Sequence, residues 1–372
     1  MWMMPVIDWT FSEYKHFNKM AQFINDVKVR PIVDDEIVVK LVKKLYGLNV
    51  KNIRELNGYD DKNYWIHCDD TNDNVYINKI SADGYVLKII NSLDSKDTKF
   101  IEGQNEMMLY LNQRDINCSV PVMNLMGSYY SVEKIREMDN TTHIVRLLVF
   151  CRGEILCNAK LSSELLFNVG LFVAKLDNTL KGFFHSSYEN RVHLWSLMSV
   201  PKLRDYIYVI DNDKDKSIVI DVINKFESDI LTNLDKLNKG MIHGDINEQN
   251  IIVNDEQTNV LGIIDFGDTQ YSYLIFELAL TLFYMIMQAR DIEMGKYVIA
   301  GFQSVNKLSN FEKKIIKTAV CARACQSLVL GIYSHLNEPD NNYLMITQES
   351  GWKILRKLWP MSEETILNIW EL

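Results

Sequence analysis

Residues 240–279 read GMIHGDINEQNIIVNDEQTNVLGIIDFGDTQYSYLIFELA, and no other stretch constrains the chain as tightly. Two short β-prone runs, residues 251–253 and 260–264, flank a polar cluster at residues 254–259. A turn-forming cluster between two apolar runs predicts a hairpin. Asn250 immediately precedes the first run and Asp265 immediately follows the second. Antiparallel pairing therefore sets both side chains at the same open end. Asp245 lies on the loop that feeds that end.

Phosphoryl transfer explains these residue types. It is catalysed mainly by positioning and charge neutralisation, with Mg²⁺ bridging the nucleotide phosphates. Mg²⁺ prefers hard oxygen ligands and takes only one or two from protein side chains. The Asn250 amide oxygen and the Asp265 carboxylate meet that need as metal ligands. Asp245 is the candidate catalytic base, able to accept a proton from an attacking hydroxyl. The five-residue interval from Asp245 to Asn250, followed by Asp265-Phe266-Gly267, matches the catalytic-loop and metal-binding signatures of protein kinases. Asp and Asn near strand ends are also common turn formers. Turn chemistry alone does not account for three of them, with His243 and Gly244, at this spacing. His243 is expected to order the loop by hydrogen bonding.

The chain has 372 residues, enough for two lobes around a cleft. With 47% hydrophobic and 24% charged residues it is globular, not disordered. A net charge of −9 argues against nucleic acid as a partner, which would demand a basic face. A nucleotide remains compatible, because salt screens surface charge beyond about 8 Å. The six cysteines include no C-x-x-C pair, which points to free thiols and a cytoplasmic setting. Cys321 and Cys325, four apart in an apolar helical run, stack on one face. Residues 1–20 carry Asp8, Glu13, Lys15 and Lys19, so they lack the uninterrupted apolar core of a signal peptide. Residues 273–287 alone approach membrane length, but they contain Glu277 and fall short of roughly twenty apolar residues. They read as a buried core helix, and no membrane partner is expected.

The N-terminal third supplies a second set of groups. Residues 34–46 show helical apolar spacing and stop at Gly47. Strand-like runs follow at residues 51–56, 63–68 and 85–90, and Lys88 lies in the last. In a kinase-like sheet that position holds the lysine that pairs with nucleotide phosphates. Such a lysine takes a carboxylate partner from the next helix, residues 99–111. That helix offers Glu102 and Glu106, four apart on one face; Glu102, nearer the helix start, is preferred. Residues 58–63 join two strands where a phosphate-covering loop belongs. They are not glycine-rich, and Asn63 is the candidate phosphate contact. Residues 144–150 read as a buried strand leading into a break at 151–154. A purine base would stack there and bond to the backbone around Val149 and Phe150. Beyond the break the chain is mainly helical, at 162–180, 218–237, 273–289, 311–334 and 349–358.

His243-Gly244-Asp245 through Asn250, followed by Ile264 to Asp268, resembles the aminoglycoside phosphotransferase-like branch of the kinase fold. Within that branch the chain resembles the hydroxylysine kinase family. The likeness extends through Tyr59-Asp60-Asp61-Lys62-Asn63, Val86-Leu87-Lys88-Ile89, Val145-Arg146-Leu147-Leu148, Ala174-Lys175-Leu176-Asp177, Cys325-Gln326-Ser327-Leu328-Val329, Tyr343-Leu344-Met345 and Gly351-Trp352-Lys353. It implies an α+β, protein-kinase-like fold of two lobes. An antiparallel-sheet nucleotide-binding lobe with an N-terminal helical extension takes residues 1–150, and a mainly helical lobe takes residues 151–372. It also implies transfer of the γ-phosphate of GTP to the 5-hydroxyl of 5-hydroxy-L-lysine, with Mg²⁺ as cofactor. Asp245 is then the base, Asn250 and Asp265 the Mg²⁺ ligands, and Lys88 the phosphate anchor. Asp268 would orient a water or meet the acceptor, and Glu277 would brace the catalytic loop. Arg323 is a candidate for the acceptor carboxylate or for a structural ion pair. The same nucleotide-site residues would serve an ATP-dependent kinase of choline, methylthioribose or an aminoglycoside. A non-catalytic nucleotide-binding scaffold is the alternative of a different class.

Overall fold

The computed structural model describes residues 30–136, 140–189 and 191–372. Residues 1–20, read above for a targeting segment, lie outside that range. Helix α1 (Asp35–Tyr46) starts where the Asp34 side chain accepts from Ile37 N, and ends at Gly47, whose φ of 66° is left-handed. Strands β1 (Leu48–Leu56), β2 (Lys62–Asn72) and β3 (Tyr85–Ile89) follow, then α2 (Thr98–Asn112), β4 (Pro121–Val122), β5 (Ser131–Glu133) and β6 (His143–Val149). They form one antiparallel sheet in the order β1-β2-β3-β6-β4, with β5 also on β6. Its register sets Asn63 opposite Lys88 and Lys88 opposite Arg146. Directly opposed residues project to the same face, so these three side chains share one surface of the sheet. The other face packs on α1 through Val38, Leu41 and Val42, closing a small core with Tyr64, Ile66, Leu87 and Leu147.

The second lobe holds β7 (Glu154–Ile155), α3 (Ser163–Leu180), α4 (Asp213–Asp229), β8 (Lys239–Ile242), β9 (Ile251–Val253), β10 (Val260–Ile263), β11 (Gln270–Tyr273), α5 (Leu274–Ala289), α6 (Gly295–Gln303), α7 (Asn310–Asn337), α8 (Gln348–Leu358) and α9 (Glu363–Ile369). Its larger core gathers α3 to α9 and takes in Phe100, Ile101, Met107, Met108 and Leu111 of α2. Helix α2 therefore ties the sheet to the helical lobe. α5 is buried from Ile275 to Met287, as its all-round apolar sequence requires. The longest apolar helix is α7, not α5: it has 28 residues, and its most apolar window is 94% buried inside the protein. Cys321 and Cys325 lie wholly buried on it as free thiols.

The helix expected at 218–237 starts earlier and stops earlier. Asn212 caps it by accepting from Lys214 N and Asp215 N, and it gives way to a 3₁₀ turn over Leu231–Lys236. The apolar pattern continues because Leu231 and Leu234 still pack on the core.

Helices α3 and α6 meet backbone to backbone. A Cβ on Gly170 would lie 1.8 Å from Val298 O, and one on Gly301 would lie 1.8 Å from Phe167 O. Backbone cannot give way as a flexible side chain can. Gly170→Ala is expected to destabilise the fold by about 1–3 kcal/mol or more through overpacking. A fall in the urea midpoint without a change of slope would show it.

Candidate active site

Two short ladders position the loop that carries Asp245 and Asn250. β8 pairs with β11, setting Ile242 opposite Gln270, and β9 pairs with β10, setting Ile251 opposite Ile263. The expected hairpin forms, and Ile264 N donates to Asn250 O at 2.9 Å, which carries the pairing one step further. Asn250 and Asp265 thus stand at one end of it. Where the ladders converge, Gly244 has φ 82°, and a Cβ there would sit 2.3 Å from Asp268 O. Only glycine fits so close an approach of two chains. Asp265 is left-handed too, with φ 63°. That conformation costs a non-glycine residue roughly 1–2 kcal/mol; here Gly267 N donates to Asp265 Oδ1 at 3.2 Å.

Asp245 is held from three sides. Asn250 Nδ2 donates to both its backbone oxygen and its Oδ2, each at 2.9 Å. Asn247 Nδ2 donates to Oδ2 at 2.9 Å, and an Arg323 guanidinium nitrogen lies 2.9 Å from Oδ1. Burial raises the Asp245 carboxyl above its usual range, and Asp265 adds to the rise while Arg323 opposes it. A raised carboxyl accepts a proton more readily at neutral pH. His243 is the opposite case: burial pushes it down to about 4, so the ring is neutral. Its Nε2 lies 3.2 Å from Ile264 O and its Nδ1 accepts from Asp245 N at 3.3 Å. It orders the loop as expected.

Lys88 is buried in the sheet, with Nζ 3.0 Å from Asp265 Oδ1 and 3.2 Å from Asp61 Oδ2. Burial works against its charge, yet Asp265 and Asp61 outweigh that and hold Lys88 above its ordinary value. Asp265 is lowered in turn, so that both partners stay charged: burial opposes ionisation, and Lys88 with Arg146 overcomes it. The expected pairing with α2 does not occur. Glu102 and Glu106 both lie on the exposed side of α2, and Glu102 accepts from the Tyr130 hydroxyl at 2.8 Å. The inner side of α2 presents Gln104 and Asn105, which accept from Arg146 at 2.6 and 3.0 Å. Helical periodicity identified one face of α2 but not which way that face pointed. The carboxylate comes instead from Asp61, fixed by Asn91 N at 2.9 Å. Asp61 escaped notice because it lies in a turn, far from Lys88 in sequence; its signal is the Asn63–Lys88 register.

Asn63 shares the Lys88 face, but its Nδ2 donates to Asn57 O at 3.1 Å, inside its own loop. That loop rests on the helical lobe, where the Tyr59 hydroxyl meets Ser334 Oγ at 2.6 Å. At the hinge, Val149 N donates to Val120 O at 2.8 Å and Phe150 N to Gly84 O at 3.2 Å. The N–H groups of these two residues are therefore committed, and a base must be read by other backbone atoms of the hinge.

Residues 57–310, which span Asp61 to Asp265, match the phosphotransferase enzyme family. The chain is 35% identical over 369 residues to the hydroxylysine kinase of Xenopus laevis, covering 95% of this chain and 96% of that protein. It is also 35% identical over 349 residues to that of Bos taurus, covering 89% and 90%. The chain belongs to the hydroxylysine kinase family of phosphotransferase enzymes. An amicoumacin kinase in complex with AMP-PNP and Ca²⁺ shares the two-lobe fold, at a TM-score of 0.64 and 15% identity, with 94% of this chain and 99% of that one covered.

Further groups surround the loop in this phosphotransferase. Glu277, fully buried on α5, accepts from His243 N and, at 3.1 Å, from Gly244 N. Burial raises it to about 8, although those two backbone donors pull it down. It anchors the loop, as the family resemblance implied. Asp268 lies 3.5 Å from His193 Nδ1, and burial beside Asp245 raises it to about 7. Arg323, 1% exposed, is committed to Asp245, Tyr284 Oη, Trp195 O and Gln326. Of its two expected roles, the structure places it in an ion pair, and with Asp245, the candidate base. Three residues beyond Asp245, Glu248 is 3% exposed.

Proposed function

We propose that this chain is a Mg²⁺-dependent kinase that transfers the γ-phosphoryl group of GTP to the 5-hydroxyl of 5-hydroxy-L-lysine. The observation that carries the reaction type is the gathering of Asp245, Asn250, Asp265 and Lys88 in one cleft. The acceptor rests on likeness to hydroxylysine kinases along nearly the whole chain, and GTP rests on the same resemblance. Asp245 accepts the proton of the attacking hydroxyl, and Arg323 with the amides of Asn247 and Asn250 holds its carboxylate in place. Lys88 has three donors; Asp265 and Asp61 engage two, which leaves one for a phosphate oxygen.

The residues present fit Mg²⁺. The Asn250 amide donates twice through Nδ2, to Asp245 O and Oδ2, which leaves Oδ1 as an oxygen ligand. Asp265 meets Lys88 and Gly267 through Oδ1, which leaves Oδ2. One amide oxygen and one carboxylate oxygen make the sparse, hard set that Mg²⁺ takes from proteins. When bound, the ion neutralises charge on the transferred phosphoryl group. Six free thiols support a cytoplasmic location as part of the same reading.

A panel of acceptors (5-hydroxylysine, choline, methylthioribose and an aminoglycoside), each with GTP and with ATP, tests both halves. Turnover of 5-hydroxylysine with GTP is expected to exceed every other pairing in kcat/KM. Phosphorylation of choline but not hydroxylysine would overturn the acceptor, and a preference for ATP would overturn the donor.

A further inference from the structure

The carboxylate of Glu248 is a buried group that the reaction above does not use. Its Oε2 has no hydrogen-bond partner although the residue is 3% exposed. A buried carboxylate oxygen without a donor is costly unless something pairs with it. Glu248 also lines a cavity of about 360 Å³, together with Gln249, Arg290 at the end of α5, and Ile346 and Ser350 around the start of α8. The lining therefore carries one carboxylate and one guanidinium. That combination is complementary to an ammonium and a carboxylate carried on a single carbon.

The span suits such a ligand. Glu248 is three positions beyond Asp245, so their Cα atoms lie no more than roughly 10 Å apart. A short aliphatic chain bridges that interval. We propose that this cavity takes the amino-acid head of the acceptor, its α-ammonium against Glu248 and its α-carboxylate against Arg290, with the side-chain hydroxyl reaching Asp245. The inference rests on the hydroxylysine reading and deepens it. An acceptor alcohol without an α-amino-acid head would leave both charges of the cavity unmatched. The site selects by charge at the end of the molecule remote from the reacting oxygen.

Steady-state kinetics of the full chain test this, with wild type, Glu248→Gln and Arg290→Gln compared on three acceptors. These are 5-hydroxylysine, its α-carboxamide, and 6-amino-5-hydroxyhexanoate, which lacks the α-ammonium. Loss of a charge-assisted hydrogen bond corresponds to about 10- to 100-fold in affinity. Glu248→Gln is expected to raise the acceptor KM by that factor on 5-hydroxylysine, with a much smaller effect on kcat. The penalty is expected to shrink on 6-amino-5-hydroxyhexanoate. Arg290→Gln is expected to show the complementary pattern, its penalty shrinking on the carboxamide. Equal penalties on all three acceptors would mean a structural role and overturn the inference, as would an unchanged KM in both variants. If wild type is inactive on 5-hydroxylysine but phosphorylates another hydroxylated amino acid, the acceptor reading fails. The same comparison on that amino acid then decides the cavity. Wild-type activity confined to acceptors without an amino-acid head overturns both.

Discussion

Asp245→Asn is expected to lower kcat by about 10²- to 10⁴-fold, the usual cost of losing a general base. The substitution nearly preserves volume, so Arg323 keeps an oxygen to approach at the Oδ1 position. At the Oδ2 position, where Asn247 and Asn250 both donate at 2.9 Å, an amide nitrogen would meet two donors. The side chain is therefore expected to turn or to lose one of those bonds, with a modest fall in melting temperature. Nucleotide affinity is expected to change far less than kcat, because Lys88 and Asp265 remain in place. Single-turnover rates with saturating nucleotide and acceptor separate the chemical step from binding. A wild-type rate in this variant would remove Asp245 from the role of base.

Arg323→Met is the second large effect, and it acts on stability and rate together. The guanidinium is 1% exposed, and the Asp245 side chain it meets at 2.9 Å is 22% exposed. Removing one partner of a buried pair typically costs about 3–5 kcal/mol, because the other charge is left uncompensated. The same change frees Trp195 O, Gln326 Oε1 and Tyr284 Oη, each now bonded to Arg323. Without the cation, the Asp245 carboxyl rises further and a smaller fraction stays ionised as a base. Urea unfolding and kcat are expected to fall in parallel. Arg323→Lys keeps the charge but not the planar fork that reaches four groups, so it should recover part of the stability and less of the rate. A variant as stable as wild type would show that the pair contributes nothing to the loop.

The hairpin was legible because every level agreed on it: β-prone runs, a polar turn between them, and functional residues at matching ends. Lys88 was legible only through the downstream motif, since a lysine in an apolar strand is ordinarily a solvated edge side chain and the kinase-like pattern alone gives it a phosphate to meet. Helix α2 was half legible. Its period placed Glu102 and Glu106 together, but Gln104, Asn105, Met107 and Met108 take the inner side. Arg146, buried in β6, selects the amides there and leaves the glutamates to solvent.

The sequence by itself determined the reaction type, because local pairing alone brings Asp245, Asn250 and Asp265 to one hairpin end; the two-lobe fold followed from the family resemblance. Only the tertiary structure decided who partners whom across the cleft. Asp61 and Lys88, and Asp245 and Arg323, are far apart in the chain, and their contacts arise when the sheet and α7 close on the catalytic loop. Local spacing carries no record of such distances. Burial supplies the rest: it leaves Glu248, one acidic residue among forty-nine, with a carboxylate oxygen that has no donor at the wall of a cavity.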